Sequence, residues 1–380
     1  MFLFEHDRRL LNIVGANHYV RWMDDQNIAV KTETYARSVV RLLTRSLAHQ
    51  RLVLNSGKTK FLSPVQVSDH FHLDANEQLD GIDLKIKAKH SGREIRMSIK
   101  AAWNCAFQLE GKGNWDKILK RFYGFAGRLG MKFLRRRAYN DLITYPLLAP
   151  RIFEYYVALS DYGGLLELFD RMIEEHESIY ESVENCFFET VLNCNVPDHF
   201  RKPFREFCGK WLKNPSIGSG RPFSRGSAAL CLYWLGDKRS VKAIKRVLDA
   251  EGIDYPASST RALVSAYIAL APEQLDYALG ICARISNGEL SSVSRFIHVL
   301  SNDGSLRCAL PRITQRVPYS TQIPVFEART WLRLEVLSLS KATAVKKWLR
   351  AQELTISKCS LGDCEKRAFA RWRKRLYDQP

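Results

Sequence analysis

Two short apolar runs flank a pair of adjacent carboxylates near the start of the chain, and this pattern limits how the segment can fold. Residues 19–22 and 28–30 are rich in β-prone types, and Asp24 and Asp25 lie between them. Strand-forming runs joined by a few turn residues predict a β-hairpin with both carboxylates at its tip. Adjacent acids at a strand turn contribute little to a core, whereas oxygen ligands suit a hard divalent cation such as Mg²⁺. The segment therefore predicts a hairpin that presents a candidate metal-binding pair.

Outside this hairpin, apolar residues recur mostly at helical spacing. Residues 33–54 and 113–139 carry apolar positions at intervals of three and four, which predicts amphipathic helices. Residues 79–103 fit either a hairpin with a lysine-rich outer face or two helices, and we favour the helices. Beyond residue 145 the pattern is helix–turn–helix in units of roughly 30–45 residues, as in α-solenoid arrays. Candidate units span residues 227–248, 259–285 and 326–349.

Proline use marks a division of the chain. Only Pro64 occurs in the first 145 residues, and the other prolines begin at Pro146. Because the residue before a proline is biased away from the helix, we place a boundary near Tyr145–Pro146. The sequence thus predicts three segments, namely 1–75 with the hairpin, a basic helical segment over 76–145, and a repeat-like helical domain over 146–380.

The charge composition favours a polyanionic partner. The chain has 58 Lys and Arg residues against 40 Asp and Glu, a net charge of +18. A surplus of this size suits nucleic acid better than a membrane surface. No apolar run approaches the roughly 20 residues that span a bilayer, and the first residues lack the order of a signal peptide. Nine scattered cysteines favour a reducing compartment, so we expect a cytoplasmic protein without a membrane partner.

Residues 112–137 concentrate the positive charge. They contain nine basic residues and one acid, Asp116, with aromatic residues interleaved. This pattern predicts amphipathic helices whose basic face either binds phosphate groups or is simply solvated. The candidate nucleic-acid-binding residues are Lys112, Lys117, Lys120, Arg121, Arg128, Lys132, Arg135, Arg136 and Arg137.

The hairpin and the segment after the next helix resemble two consecutive motifs of the reverse transcriptase palm. The hairpin matches the aromatic-x-Asp-Asp motif, with a tryptophan where the family usually has Tyr or Phe. Residues 54–60 match the following Leu-Asn-x-x-Lys-Thr-Lys motif. The two motifs occur in the family's order, and the resemblance covers residues 1–65. The positions that support the motifs without carrying charge are Trp22, Met23, Asn55 and Thr59.

This resemblance implies an RNA-directed DNA polymerase that extends a primer 3′-hydroxyl by two-metal nucleotidyl transfer. It implies that Asp24 and Asp25 are catalytic Mg²⁺ ligands and that Lys58 approaches the leaving phosphates. The basic segment would act as a helical thumb that grips the template-primer. The implied partners are an RNA template, a DNA primer or product, and deoxynucleoside triphosphates. Some bacterial reverse transcriptases with helical C-terminal extensions are linked to phage defence, so the resemblance also implies a role in antiviral defence.

The family's palm also uses a third aspartate from a strand far upstream of the hairpin. Only 23 residues precede Asp24, and Glu5 and Asp7 lie in a predicted helix that enters the hairpin. We therefore expect the fingers and the upstream palm to be missing, and the Mg²⁺ site to be completed by an aspartate outside this chain. Truncation is the preferred explanation, ahead of a split partner polypeptide or a decayed gene.

The alternative function is a catalytically inactive nucleic-acid-binding or scaffold protein derived from a reverse transcriptase. In both cases the predicted fold is mostly α. It comprises an N-terminal α+β remnant of a polymerase palm, a helical thumb and an α-helical, HEAT-like repeat domain.

Overall fold

The protein is mostly α-helical with one two-stranded sheet among the described residues, which confirms the predicted class. It divides into two compact units. Unit 1 comprises Met1–Gly81 and Asn104–Trp115, and unit 2 comprises Ile82–Trp103 and Asp116–Pro380. The division into three segments stays a prediction. The computed structural model describes residues 3–175, 180–194, 196–213, 221–236, 238–250, 257–274, 277–278, 280–281, 334–335, 338, 343–357, 361 and 363–378.

Unit 1 contains the predicted antiparallel hairpin. Strand β1 (Tyr19–Trp22) pairs with strand β2 (Asp25–Ile28), and the register joins Tyr19 to Ile28 and Trp22 to Asp25. The helix predicted over residues 33–54 forms but ends at residue 49, and residues 79–103 lie in two helices, as favoured. The helices of residues 4–107 are α1 (Phe4–Val14), α2 (Glu33–His49), α3 (Pro64–Phe71), α4 (Leu73–Lys87) and α5 (Gly92–Phe107).

A small apolar core holds the hairpin against α1 and α2. Leu10 of α1, Tyr19 of β1, and Val39 and Leu43 of α2 are buried together. The spacing of four between Val39 and Leu43 places both on one face of α2. Thr32 begins that helix, since its hydroxyl accepts a hydrogen bond from a backbone N–H of the first turn. The hairpin is therefore positioned by helices on both sides of it in sequence.

The remaining helices differ from expectation at one place. Residues 113–139 were predicted to be helical, but the helix ends at Arg128 and Gly130 takes a left-handed φ of 65°. Glycine adopts this conformation readily, so it ends the helix, and the next helix begins at Ala138. The helices from this point on are α6 (Trp115–Arg128), α7 (Ala138–Thr144), α8 (Ala149–Ala158), α9 (Tyr162–Glu174), α10 (Glu181–Asn193), α11 (Asp198–Lys213), α12 (Pro222–Trp234), α13 (Val241–Ala250), α14 (Ala257–Leu270), α15 (Thr343–Ile356) and α16 (Asp363–Asp378).

Helices α8 to α14 stack in two rows. The even-numbered helices α8, α10, α12 and α14 contact one another in succession, and so do α9, α11 and α13. Contact between every second helix is the arrangement of stacked helix pairs in a solenoid. The predicted unit at 227–248 falls on α12 and α13, and the unit at 259–285 begins within α14. Residues 282–333, which include parts of two predicted units, lie outside the described residues.

Two buried features hold unit 2 together. Phe169 of α9 and Phe187 of α10 stack with their ring centroids 3.9 Å apart. Five further rings lie against this pair, those of Phe153, Phe188, Phe204, Phe207 and Trp211. The second feature is an ionic network around Glu335. Its fully buried carboxylate accepts hydrogen bonds from the Tyr233 hydroxyl at 2.8 Å and from Arg371 at 2.9 Å, and Arg375 lies 3.0 Å away. The network ties α16 to α12.

Candidate functional site

The hairpin presents the predicted carboxylate pair to solvent. Trp22 and Asp25 form the last strand pair, so Met23 and Asp24 make a two-residue loop. Met23 has a φ of 54°, at a loop position where glycine is favoured. Asp24 and Asp25 are exposed, and neither carboxylate has a hydrogen-bond or ion-pair partner in the described part of the chain. Backbone strain of this kind often occurs at functional sites. The Trp22 side chain lies outside the described residues.

The neighbouring guanidinium of Arg21 does not compensate this pair. Its Nε and Nη2 atoms donate to the Asp7 carboxylate at 2.7 and 2.5 Å, and its Nη1 atom donates to the Met23 carbonyl at 2.7 Å. The Tyr19 hydroxyl also donates to Asp7 at 2.7 Å. The hydrogen bonds from Arg21 hold the pKa of Asp7 below its ordinary value. Asp7 thus anchors the loop, while the charges at the tip stay uncompensated.

The donor type at the tip suits a hard divalent cation. Two carboxylates provide oxygen ligands, and Mg²⁺ commonly takes one or two carboxylates together with water and phosphate oxygens. Asp24 and Asp25 are therefore the residues that could hold Mg²⁺. Across the described ranges, no group of three or more His, Cys, Asp or Glu side chains is arranged to hold a metal ion. The described hairpin contributes a pair of ligands.

The second predicted motif forms a tight turn after α2. The Asn55 carbonyl accepts from the Lys58 backbone N–H at 3.1 Å and from the Thr59 hydroxyl at 2.9 Å, and the Asn55 side-chain oxygen accepts from Lys58 N–H at 3.3 Å. The Lys58 side chain is exposed and has no partner within the described ranges. Asn55 and Thr59 therefore fix the backbone from which Lys58 projects.

The nine predicted basic residues have three kinds of surroundings. Arg135 pairs with Asp161 and Arg137 with Asp141, each at 2.7 Å, and Arg137 also lies 4.9 Å from the centre of the Trp103 ring. These two arginines serve the fold of unit 2. Arg121 and Arg128, together with Lys120, line a cleft described below. The side chains that are exposed and without a partner among the residues described are Lys112 of unit 1 and Lys117, Lys120, Lys132 and Arg136 of unit 2.

Helices α6 and α8 border a half-open cleft of about 560 Å³ in unit 2. Its cationic side chains outnumber its acidic ones by four to two, and six charged residues line it, which are Asp83, Lys120, Arg121, Arg128, Arg151 and Glu154. Sequence reasoning identified the three from α6 and missed the other three. Nothing in the periodicity brings α8 to α6. A close approach at Gly127 does so, because a Cβ there would lie 3.3 Å from the Ala158 Cβ.

Comparison of the chain with protein-family models, with curated proteins and with solved structures gives no match. In the part of the chain that the structure describes, no helix has both the length and the apolar character needed to cross a membrane. The functional interpretation therefore depends on the residues and their geometry.

Proposed function

We propose that the chain carries the metal-binding hairpin of a reverse transcriptase, joined to a basic thumb-like segment and a HEAT-like helical extension. One observation carries the proposal, namely the exposed pair Asp24 and Asp25 on a strained loop whose neighbouring guanidinium is bound to Asp7. The order of hairpin, helix and turn, with Lys58 exposed on the turn, supports it. A cytoplasmic location and a role in antiviral defence belong to the same proposal.

The proposed reaction joins a primer 3′-hydroxyl to the α-phosphate of a deoxynucleoside triphosphate on an RNA template and releases pyrophosphate. Asp24 and Asp25 would hold Mg²⁺, which when bound neutralises charge on the reacting phosphates. Lys58 would contact the triphosphate, because its ammonium group is exposed and has no partner among the described residues. The basic residues of 112–137 would bind the template-primer backbone without regard to sequence. The palm that the hairpin resembles uses a third aspartate, which the proposal takes from outside this chain.

Primer extension tests this proposal. The chain is assayed alone and together with the polypeptide encoded directly upstream, on a primed RNA template with Mg²⁺. We expect extension from the combination, reduced at least about 100-fold by Asp24→Asn or Asp25→Asn. Asp69→Asn is the matched control, because Asp69 is an exposed carboxylate of the same unit outside the hairpin. Extension that survives Asp24→Asn at the wild-type rate would contradict the proposal.

A nucleic-acid-binding or scaffold protein without catalysis is the second candidate. It is favoured by the cationic cleft in unit 2, whose chemistry does not depend on the hairpin. This candidate predicts salt-dependent binding of RNA and DNA, with no extension in any combination. It also predicts that Asp24→Asn leaves the binding affinity unchanged.

A further inference from the structure

We propose that the cleft between α6 and α8 binds consecutive phosphates of a nucleic-acid strand by exchange of ion pairs. In the free protein, carboxylates inside the cleft hold two of its arginines. The strand's phosphates take their place when it binds. This inference depends on the nucleic-acid-binding part of the proposed function and is independent of catalysis at the hairpin. It assigns a binding role to Arg151, which lies outside the basic segment found in the sequence.

The cations extend along the cleft and across it. Lys120 and Arg128 lie eight residues apart on α6, which at about 1.5 Å per residue is about 12 Å along the helix axis. That length exceeds a single phosphate group. Arg151 approaches from α8 on the other wall. Lys120 has no partner in the described ranges, so it is available from the start.

Two arginines of the cleft are held by acids that can be displaced. Arg128 lies 3.4 Å from an Asp83 oxygen, and Arg151 lies 2.6 Å from a Glu154 oxygen. All four side chains are between 38 % and 57 % exposed. Ion pairs at this exposure contribute little free energy, so they hold the arginines without preventing exchange. A phosphate accepts the same guanidinium hydrogen bonds as a carboxylate and can bind bidentately.

The uncharged lining of the cleft favours binding of a nucleic-acid backbone over binding of a free nucleotide. The rings of Tyr123, Phe125 and Tyr155 border the cleft, yet each is at most 2 % exposed, so they offer a base almost no surface for stacking. Arg128 lies over the Phe125 ring, 4.7 Å from its centre. At Gly124 a Cβ would meet nothing within 4 Å, which leaves the middle of the α6 wall open. The cleft thus suits phosphate contacts that ignore base identity.

Removal of the competing acids gives the distinctive test. Binding of a labelled oligonucleotide of about 20 nucleotides to the full chain is followed by fluorescence anisotropy, with DNA and RNA, between about 50 and 200 mM salt. We expect Asp83→Asn and Glu154→Gln to tighten binding about 2- to 5-fold each. Glu206→Gln is the control, because Glu206 is an exposed acid of the same unit, 3.9 Å from Lys202, and its loss changes the net charge equally.

The converse variants complete the test. Arg151→Gln should weaken binding about 3- to 10-fold and lower the salt slope by about 0.7, with Lys202→Gln as the matched control. Gly124→Leu should weaken binding without any change of charge, because it fills the open wall. Equal effects of Glu154→Gln and Glu206→Gln, or of Arg151→Gln and Lys202→Gln, would overturn the proposal.

Two further measurements distinguish this proposal from binding of a free polyphosphate and from the polymerase proposal. If a nucleoside triphosphate at oligonucleotide concentrations displaces the strand, the cleft binds a free polyphosphate and the proposal is wrong. Asp24→Asn should leave oligonucleotide affinity unchanged. Wild-type protein that binds through the cleft but shows no extension in any combination would refute only the polymerase proposal. Extension that depends on Asp24, with no effect of the cleft variants on binding, would refute only this one.

Discussion

The anchor of the hairpin loop predicts a measurable loss of stability on Asp7→Asn. The carboxylate accepts three hydrogen bonds of 2.5–2.7 Å, two from Arg21 and one from Tyr19. Asparagine has no charge and keeps a single acceptor oxygen, so the doubly bonded contact with Arg21 cannot form. We expect the variant to loosen the hairpin and to free a guanidinium that can then approach Asp24.

The magnitude follows from burial. A hydrogen bond to a charged group contributes about 1.5–3 kcal/mol when it is well shielded. The Asp7 and Arg21 side chains keep 21 % and 25 % of their exposure, so solvent screens part of this, and we expect a total loss of about 2 kcal/mol. Glu33→Gln is the control. Glu33 pairs with Arg37 at a similar 2.6 Å, but both are at least 65 % exposed, and the expected loss is below about 0.5 kcal/mol.

Hydrogen exchange measured by mass spectrometry on peptides covering residues 3–30 reports local opening and avoids a two-state assumption for a chain of two units. Arg21 lowers the pKa of folded Asp7. The stabilisation is therefore complete above the unfolded pKa of about 3.9 and is lost as pH falls through the folded pKa. The difference between wild type and Asp7→Asn should shrink accordingly in acid. Equal protection of Asp7→Asn and Glu33→Gln at neutral pH would refute this reasoning.

Three other predictions concern the helices. Glu335→Gln leaves two partly buried arginines of α16 without a counter-charge, so we expect a loss of about 3 kcal/mol and release of α16 to limited proteolysis. Gly124→Ala should raise the melting temperature, because alanine stabilises a helix by up to about 1 kcal/mol relative to glycine. Gly127→Ala should not raise it, because the added Cβ would crowd α8. Burial raises the pKa of the Cys186 thiol to about 11, so at neutral pH iodoacetamide should label it at least about tenfold more slowly than the exposed Cys105.

Local patterns in the sequence predicted the local structure well. Two β-prone runs around a short turn predicted the hairpin, and spacing of three and four predicted the apolar face of α2. The ambiguous stretch at 79–103 proved helical because Ile95 and Ile99, four residues apart, are both buried. The expected helix over 113–139 was too long because its apolar period continues past Gly130, where the backbone turns.

The cleft could be predicted only in part. Its α6 cations belong to a visible basic run, but Arg151 and Glu154 come from a helix whose approach depends on the small residue at Gly127. Sequence spacing carries no information about such a contact. The engagement of Arg21 with Asp7 was equally hidden, because it joins a helix to a strand through their side chains. Because Asp7 holds Arg21, neither Asp24 nor Asp25 has an ion-pair partner within the residues that the structure describes.

Divalent-cation binding at the hairpin tip tests the central claim most directly. Met23 is 74 % exposed beside Asp24, so its ¹³C-labelled methyl group reports on the tip by NMR, and Met97, 63 % exposed in unit 2, is the internal control. On titration with Mn²⁺, we expect the Met23 signal to broaden at concentrations at least about tenfold below those that affect Met97, and Asp24→Asn to abolish the difference. Broadening of both methyl signals at the same Mn²⁺ concentration would contradict a metal site at Asp24 and Asp25.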